Sequence, residues 1–179
     1  GSADVTLVEM APPDMPAALY SGAIEAFATG EPFGALAERE GFGRILHMTR
    51  DEWPRYICCV LTVRQDLIDT DRRTVQRLVD HVLSAGLWLE GGDANRHLAA
   101  DLAARREYFN QDSSLLRFVM DNPRDRVTYG DLRLIRAELD DIMQLAVEGN
   151  VLARRVPYES YVDESFMRAY RPREITLVK

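Results

Sequence analysis

Short β-prone runs and short helical runs alternate between residues 5 and 48, and almost no chain is left over for loops. Residues 5–10, Val-Thr-Leu-Val-Glu-Met, are β-branched and apolar and read as a strand. Pro12 and Pro13 then mark a turn, Asp14 is placed to cap a helix over residues 15–21, and Gly22 suits the left-handed residue that ends it. Residues 23–28 read as a second strand, residues 32–40 as a second helix, and residues 44–48 as a third strand. Pro32 fits the first helical position, where a missing N–H is harmless, and Gly41 closes the helix. Strands joined through a helix run parallel. The pattern therefore predicts an α/β fold, with a short, mostly parallel sheet and flanking helices.

Further on, residues 56–65, YICCVLTVRQ, form a long apolar run that reads as a buried strand. Beyond residue 70 the composition turns helical. Thr70 or Asp71 opens a helix to about residue 89, with Val75, Leu78, Val79, Val82, Leu83 and Leu87 on one stripe. Helices are also expected over 95–105, 113–121 and 131–148, the last stopped by Gly149, with a short packing helix within 157–170. There is no internal repeat and no low-complexity linker.

The 179 residues are 46% hydrophobic and 28% charged, a soluble globular balance. A formal net charge of −7 argues against a general nucleic-acid binder, which needs a basic face. No apolar run approaches the about 20 residues that span a bilayer. Gly1-Ser2 reads as a cloning remnant, so the lack of a leader in this chain decides nothing about export. Cys58 and Cys59 are adjacent, which disfavours a disulfide between them, and within an apolar run they read as small, reduced core residues. No CxxC spacing suggests a metal.

Catalytic signatures are weak. His47, His81 and His97 are widely spaced and sit in neither HExxH nor GxSxG, and no glycine cluster is followed by the Lys-Ser/Thr of a phosphate loop. Asp140 and Asp141 point apart on a helix and cannot share one acid-base site. Trp53 and Trp88 read as packing anchors. The segment Gly30, Glu31, Pro32, Phe33 is different. It lies where a strand ends and a helix begins, the place where open α/β sheets hold ligands. Glu31 has three readings there: it caps its own helix, it accepts hydrogen bonds from a ligand, or it holds a hard cation such as Ca²⁺. Pro13 and Asp14 occupy the equivalent turn of the preceding β-α unit, so parallel strands would aim both corners at one rim.

The stretch PPDMPAALYSGAIEAFATGEPFGALAEREGFGRIL, followed by RDEWP and VLTVRQDLI, resembles the solute-binding proteins of nitrate, bicarbonate and sulfonate ABC importers, in the NMT1-like superfamily. The helix over 74–89 and the residues Asn95, Arg96, Glu107, Tyr108 and Asn110 extend the likeness. The resemblance implies a partial periplasmic-binding-protein-like fold. Residues 1–50 would belong to the second lobe, and residues 51–179 would return to the first lobe and add C-terminal helices. It places Glu31 at the ligand with Phe33 as the aromatic beside it, and the shared rim argued above adds Pro13 and Asp14. Members with a carboxylate at the Glu31 position resemble those that take bicarbonate with a metal ion, so Ca²⁺ with an anionic ligand is the one cofactor implied. Phe33 stands where a tryptophan is more usual. Family members are about twice this length.

The expected function is thus a solute-binding component, or a fragment of one, for a small anion, periplasmic, working with an ABC permease and not an enzyme. One alternative is a cytoplasmic nitrate-type sensor that regulates a partner protein. Another is a structural fragment without a ligand. An incomplete lobe should expose sheet edges, which implies a homodimer.

Overall fold

A computed structural model describes residues 4–53 and 56–177. Gly1-Ser2 and Pro54 of the RDEWP motif lie outside the described residues. In chain order the helices are α1 (Met15–Tyr20), α2 (Phe33–Arg39), α3 (Thr49–Glu52), α4 (Gln65–Thr70), α5 (Arg72–Glu90), α6 (Asp93–Ala103), α7 (Ser113–Asp121), α8 (Arg136–Glu148) and α9 (Ser165–Arg168). Single 3-10 turns form at Pro12–Asp14 and Tyr158–Ser160.

The helices follow local chemistry closely. Asp71 caps α5 by accepting from the Thr74 N–H at 3.1 Å, and Asp112 caps α7 by accepting from the Leu115 N–H at 2.8 Å. Gly22 and Gly41 take φ of +74° and +77°, the left-handed region that stops α1 and α2. Pro32 sits one place earlier than expected, at the N-cap of α2. Asp14 holds the N-cap position of α1, but its side chain makes no capping bond, because the residue is already helical inside the preceding 3-10 turn. Helix α8 starts at Arg136 rather than 131. Asp131 instead accepts from the Arg133 N–H and its guanidinium, a local loop that competes with the helix. The expected tail helix is divided into the Tyr158–Ser160 turn and α9.

The expected sheet is not formed among the described residues. None of the expected strands, over 5–10, 23–28, 44–48 and 56–65, forms. β-propensity describes how a side chain fits a pleated surface, but a strand exists only when a neighbour completes its ladder. The side chains meant for sheet faces are in water: Leu7 is 87% exposed, Leu46 67% and Val60 53%. The run 56–65 is therefore not a buried strand, and Cys58 and Cys59 are exposed rather than core residues.

The described chain forms two compact units, Gly1–Met48 with His97–Val127, and Thr49–Arg96 with Thr128–Lys179. In the first unit α2 packs on α1 and on α7. Its core is Ala35, Leu115 and Val119, flanked by Leu36, Phe118 and Val127. Small residues permit the close approach: a Cβ on Gly43 would lie 2.9 Å from the Ala37 Cβ and 3.2 Å from Leu19.

The second unit is organised by α5. Gly86 is its crossing point, since a Cβ there would lie 2.5 Å from the Tyr129 carbonyl oxygen and 2.6 Å from Leu132. One row of α5, Gln76, Asp80 and Ser84, is polar and holds the C-terminal segment. Asp80 is fully buried and accepts from Gln76 Nε2 at 2.9 Å, from the Arg171 N–H at 3.0 Å and from Arg173 Nη2 at 2.7 Å. Ser84 Oγ lies 3.0 Å from the Tyr170 hydroxyl and accepts from the Arg173 N–H at 2.9 Å. Burial works to raise the Asp80 pKa, yet these donors together hold it below the usual carboxylate value. Phe166, on α9, is buried beneath the Arg72 guanidinium, which lies 4.1 Å from its ring centre.

Candidate functional site

The corner from Gly30 to Phe33 lies wholly in the first unit. The Glu31–Pro32 peptide is cis. Gly34 leaves room for the Glu31 carboxylate to fold back over the first turn of α2, since a Cβ at 34 would lie 3.7 Å from Oε1 and 3.8 Å from Oε2. Glu31 Oε2 accepts from the Ala35 N–H at 3.0 Å and so takes up one of the free donors at the start of α2. Phe33, the first residue of α2, is half-buried beside it.

The other oxygen meets a residue that sequence reasoning did not single out. Arg126, 95 positions away, donates from Nη1 to Glu31 Oε1 at 2.9 Å. Its Nη2 donates to Glu38 Oε2, and its Nε to the Asn122 carbonyl at 2.6 Å. The guanidinium lies 5.4 Å from the Phe118 ring centre, and the side chain is only 2% exposed. Glu38 lies on α2 and Glu31, just before it, folds back over the helix's first turn, so one fork can serve both. The spacing of the two acids is the trace of the arrangement in the sequence. Nothing local names their cation.

A second charged cluster borders the same helices. Arg39 Nη1 reaches Ser114 Oγ at 2.8 Å and Asp112 Oδ1 at 3.3 Å. Hydrogen bonds from Ser114, from the Leu115 N–H and from Arg39 pull the Asp112 pKa down to about 2. On α6, Arg117 and Ser113 together bring Asp101 to about 2, and His97 Nε2 lies 2.7 Å from Asp121 Oδ2.

The structure thus places the four expected contact residues in one unit and on two corners. Glu31 and Phe33 meet at the start of α2. Pro13 and Asp14 form the exposed turn into α1, the helix that packs against α2. Among the described residues no group of three or more His, Cys, Asp or Glu side chains could hold a metal ion. Chemically the corner is a carboxylate at 21% exposure that shares one buried guanidinium with Glu38, so the three groups together keep a net negative charge.

A family model described as the NMT1-like family matches residues 2–104, more than half of the chain. The chain belongs to the NMT1-like family. The matched span contains Pro13, Asp14, Glu31 and Phe33. The nitrate/nitrite binding protein NrtA of Synechococcus elongatus is 26% identical to this NMT1-like chain over 133 residues, 74% of this chain and 29% of that protein. The bicarbonate-binding protein CmpA of the same organism is 25% identical over 103 residues, 58% of this chain and 23% of that protein. Among solved structures, the ligand binding component of an ABC-type import system from Staphylococcus aureus, with zinc bound, superposes with a TM-score of 0.77 at 26% identity. That match covers 92% of this chain and 53% of the other. The chain therefore has the fold of an ABC-import ligand-binding component over almost its whole length, and spans about half of the solved relative and under a third of the curated ones. Among the described residues no helix is long and apolar enough to cross a membrane.

Proposed function

We propose that this chain is the solute-binding component, or a large part of one, of an ABC importer for a small anion such as nitrate, bicarbonate or a sulfonate, and not an enzyme. The carrying observation is the joint likeness to a nitrate/nitrite and a bicarbonate binding protein, together with the family match over residues 2–104, which hold the Glu31 corner. In this reading the component is periplasmic and delivers its solute to an ABC permease. Residues 1–50 belong to one lobe, and the chain returns to the other within residues 51–179.

The solute is assigned to Glu31 and Phe33, with Pro13 and Asp14 on the neighbouring corner. Arg126 offsets part of the charge of Glu31 and Glu38, so an anion arriving alone is repelled less than two bare carboxylates would repel it. Ca²⁺ takes six to eight oxygen ligands. Glu31 supplies at most two, so a calcium ion here draws most of its shell from the anion and water. The apolar runs 5–10, 44–48 and 56–61 are the edges through which two copies pair, since unpaired backbone and exposed side chains favour strand addition.

Isothermal titration with nitrate, with bicarbonate with and without Ca²⁺, and with taurine tests the assignment on the native chain and on Glu31→Gln. One of the anions binds, and the variant binds it about tenfold more weakly, a change of about 1.4 kcal/mol. Binding that is unchanged in the variant moves the site elsewhere. No heat with any anion leaves the chain as a structural part only. Light scattering at micromolar concentration reads the dimer directly. A second reading, a cytoplasmic sensor of the same anions, is favoured by the two unlinked thiols at Cys58 and Cys59, which a reducing compartment preserves. Fractionation of cells expressing the native gene separates the two.

A further inference from the structure

Cys58 and Cys59 are both exposed, and one thiol donates to the other with the sulfurs 3.7 Å apart. Consecutive side chains on a regular strand point to opposite faces. Here the backbone turns both sulfurs to one side, consistent with the missing ladder over 56–64. The separation is far from the about 2.04 Å of a disulfide. It is within reach of two thiolates on one pyramidal trivalent centre: with bonds of about 2.3 Å and angles narrower than tetrahedral, the sulfurs need to close by only a few tenths of an ångström.

We propose that Cys58 and Cys59 form a vicinal dithiol site for a thiophilic, monosubstituted trivalent arsenical. The choice of ligand follows from what surrounds the pair. A structural zinc ion needs four protein ligands, and among the described residues no cluster of three or more metal-ligating side chains exists. The ligand must therefore be satisfied by two sulfurs and bring its remaining substituent with it. A monosubstituted arsenical does so. In the reaction R–As=O + 2 Cys–SH → R–As(S–Cys)₂ + H₂O, two arsenic–sulfur bonds form, the arsenic–oxygen bond breaks, and both thiol protons leave in the water. Arsenic stays trivalent, and no oxidant is required. Partial desolvation of the Cys58 thiol and its contact with Cys59 push its pKa up, which disfavours the free thiolate that one-sulfur alkylation needs. The proposal stands apart from the solute reading, since it uses neither Glu31 nor any of its partners.

The test titrates the reduced, full chain with phenylarsine oxide, with free-thiol counting and intact mass as readouts. One arsenical binds per chain and both thiols disappear together. The adduct survives excess 2-mercaptoethanol and is reversed by 2,3-dimercaptopropanol. Cys58→Ser and Cys59→Ser each weaken binding by about a hundredfold or more, the loss expected when a two-point attachment becomes one. Because both side chains are exposed, the serine variants keep the native circular dichroism spectrum. A native chain that takes up no arsenical while both thiols react with a disulfide reagent overturns the proposal without recourse to any variant. So does a serine variant that binds as tightly as the native chain.

Discussion

Asp80 and Glu31 are both tied to arginines more than 90 residues away, and they are tied in different ways. Asp80 is fully buried, and donors from α5 and from the C-terminal segment surround it. Glu31 is 21% exposed, and its two oxygens have one donor each, a helix N–H and the Arg126 fork. In the first case the carboxylate is enclosed and the arginine, Arg173, is the exposed partner; in the second the arginine is enclosed and the acid reaches water. An enclosed acid serves the fold alone. A rim acid backed by a buried cation can be shared with a visitor, because its exposed side remains hydrated.

The largest effect should come from Asp80→Ala. It leaves the Arg171 N–H and Arg173 without this acceptor and Gln76 with only the Phe166 carbonyl, at about 3 kcal/mol of unfolding free energy. Urea unfolding reads the loss, and hydrogen exchange shows faster exchange at residues 170–175. Acid acts in the same direction. The folded pKa of Asp80 is depressed, so its contribution is present above the unfolded value near about 3.9 and is lost as pH falls through the folded value. Asp101, brought to about 2 by Arg117 and Ser113, extends the loss in the first unit over the range between about 4 and 2. An unfolding midpoint flat across that range would contradict both assignments.

Arg126→Met comes next, at about 2 kcal/mol. The methionine chain refills the buried space of the arginine stem, while Glu31 and Glu38 lose their shared fork. Both acids are partly exposed and can rehydrate, which limits the loss relative to Asp80. Glu31→Gln should fall to about 1 kcal/mol, since the amide oxygen can still accept from the Ala35 N–H. A double-mutant cycle between the two positions isolates the pair. A coupling near zero would mean that Arg126 is held by Glu38 and Asn122 alone.

The legible parts of this chain are those whose signal is local. Helix α7 has the bounds that its apolar spacing and the Asn122-Pro123 stop predict, and Asp71 caps α5 as its position suggests. What was not legible depends on partners remote in sequence. Residues 56–64 have the composition of a strand, but no neighbour in the described chain pairs with them, and so Cys58 and Cys59 stand in water. Arg126 is one arginine among many until α7 and α2 pack together. Asp80 left a faint trace, a polar row of Gln76, Asp80 and Ser84 at four-residue spacing beside the apolar stripe of α5. What that row faces was not available from the helix itself.

The smallest effect separates position from bonding. Asp14 and Asp71 both occupy N-cap positions, but only Asp71 makes the bond. Asp71→Ala should lower stability measurably, whereas Asp14→Ala should stay within about 0.5 kcal/mol of the native chain. Thermal unfolding of both variants checks this. The same pair probes the rim, because Asp14 has no structural duty to confuse the readout. If Asp14→Ala leaves unfolding untouched yet alters anion titration, the aspartate acts on solute, and the Pro13 corner belongs with Glu31. If it alters neither, the exposed turn is bystander surface, and the rim narrows to Glu31 and Phe33.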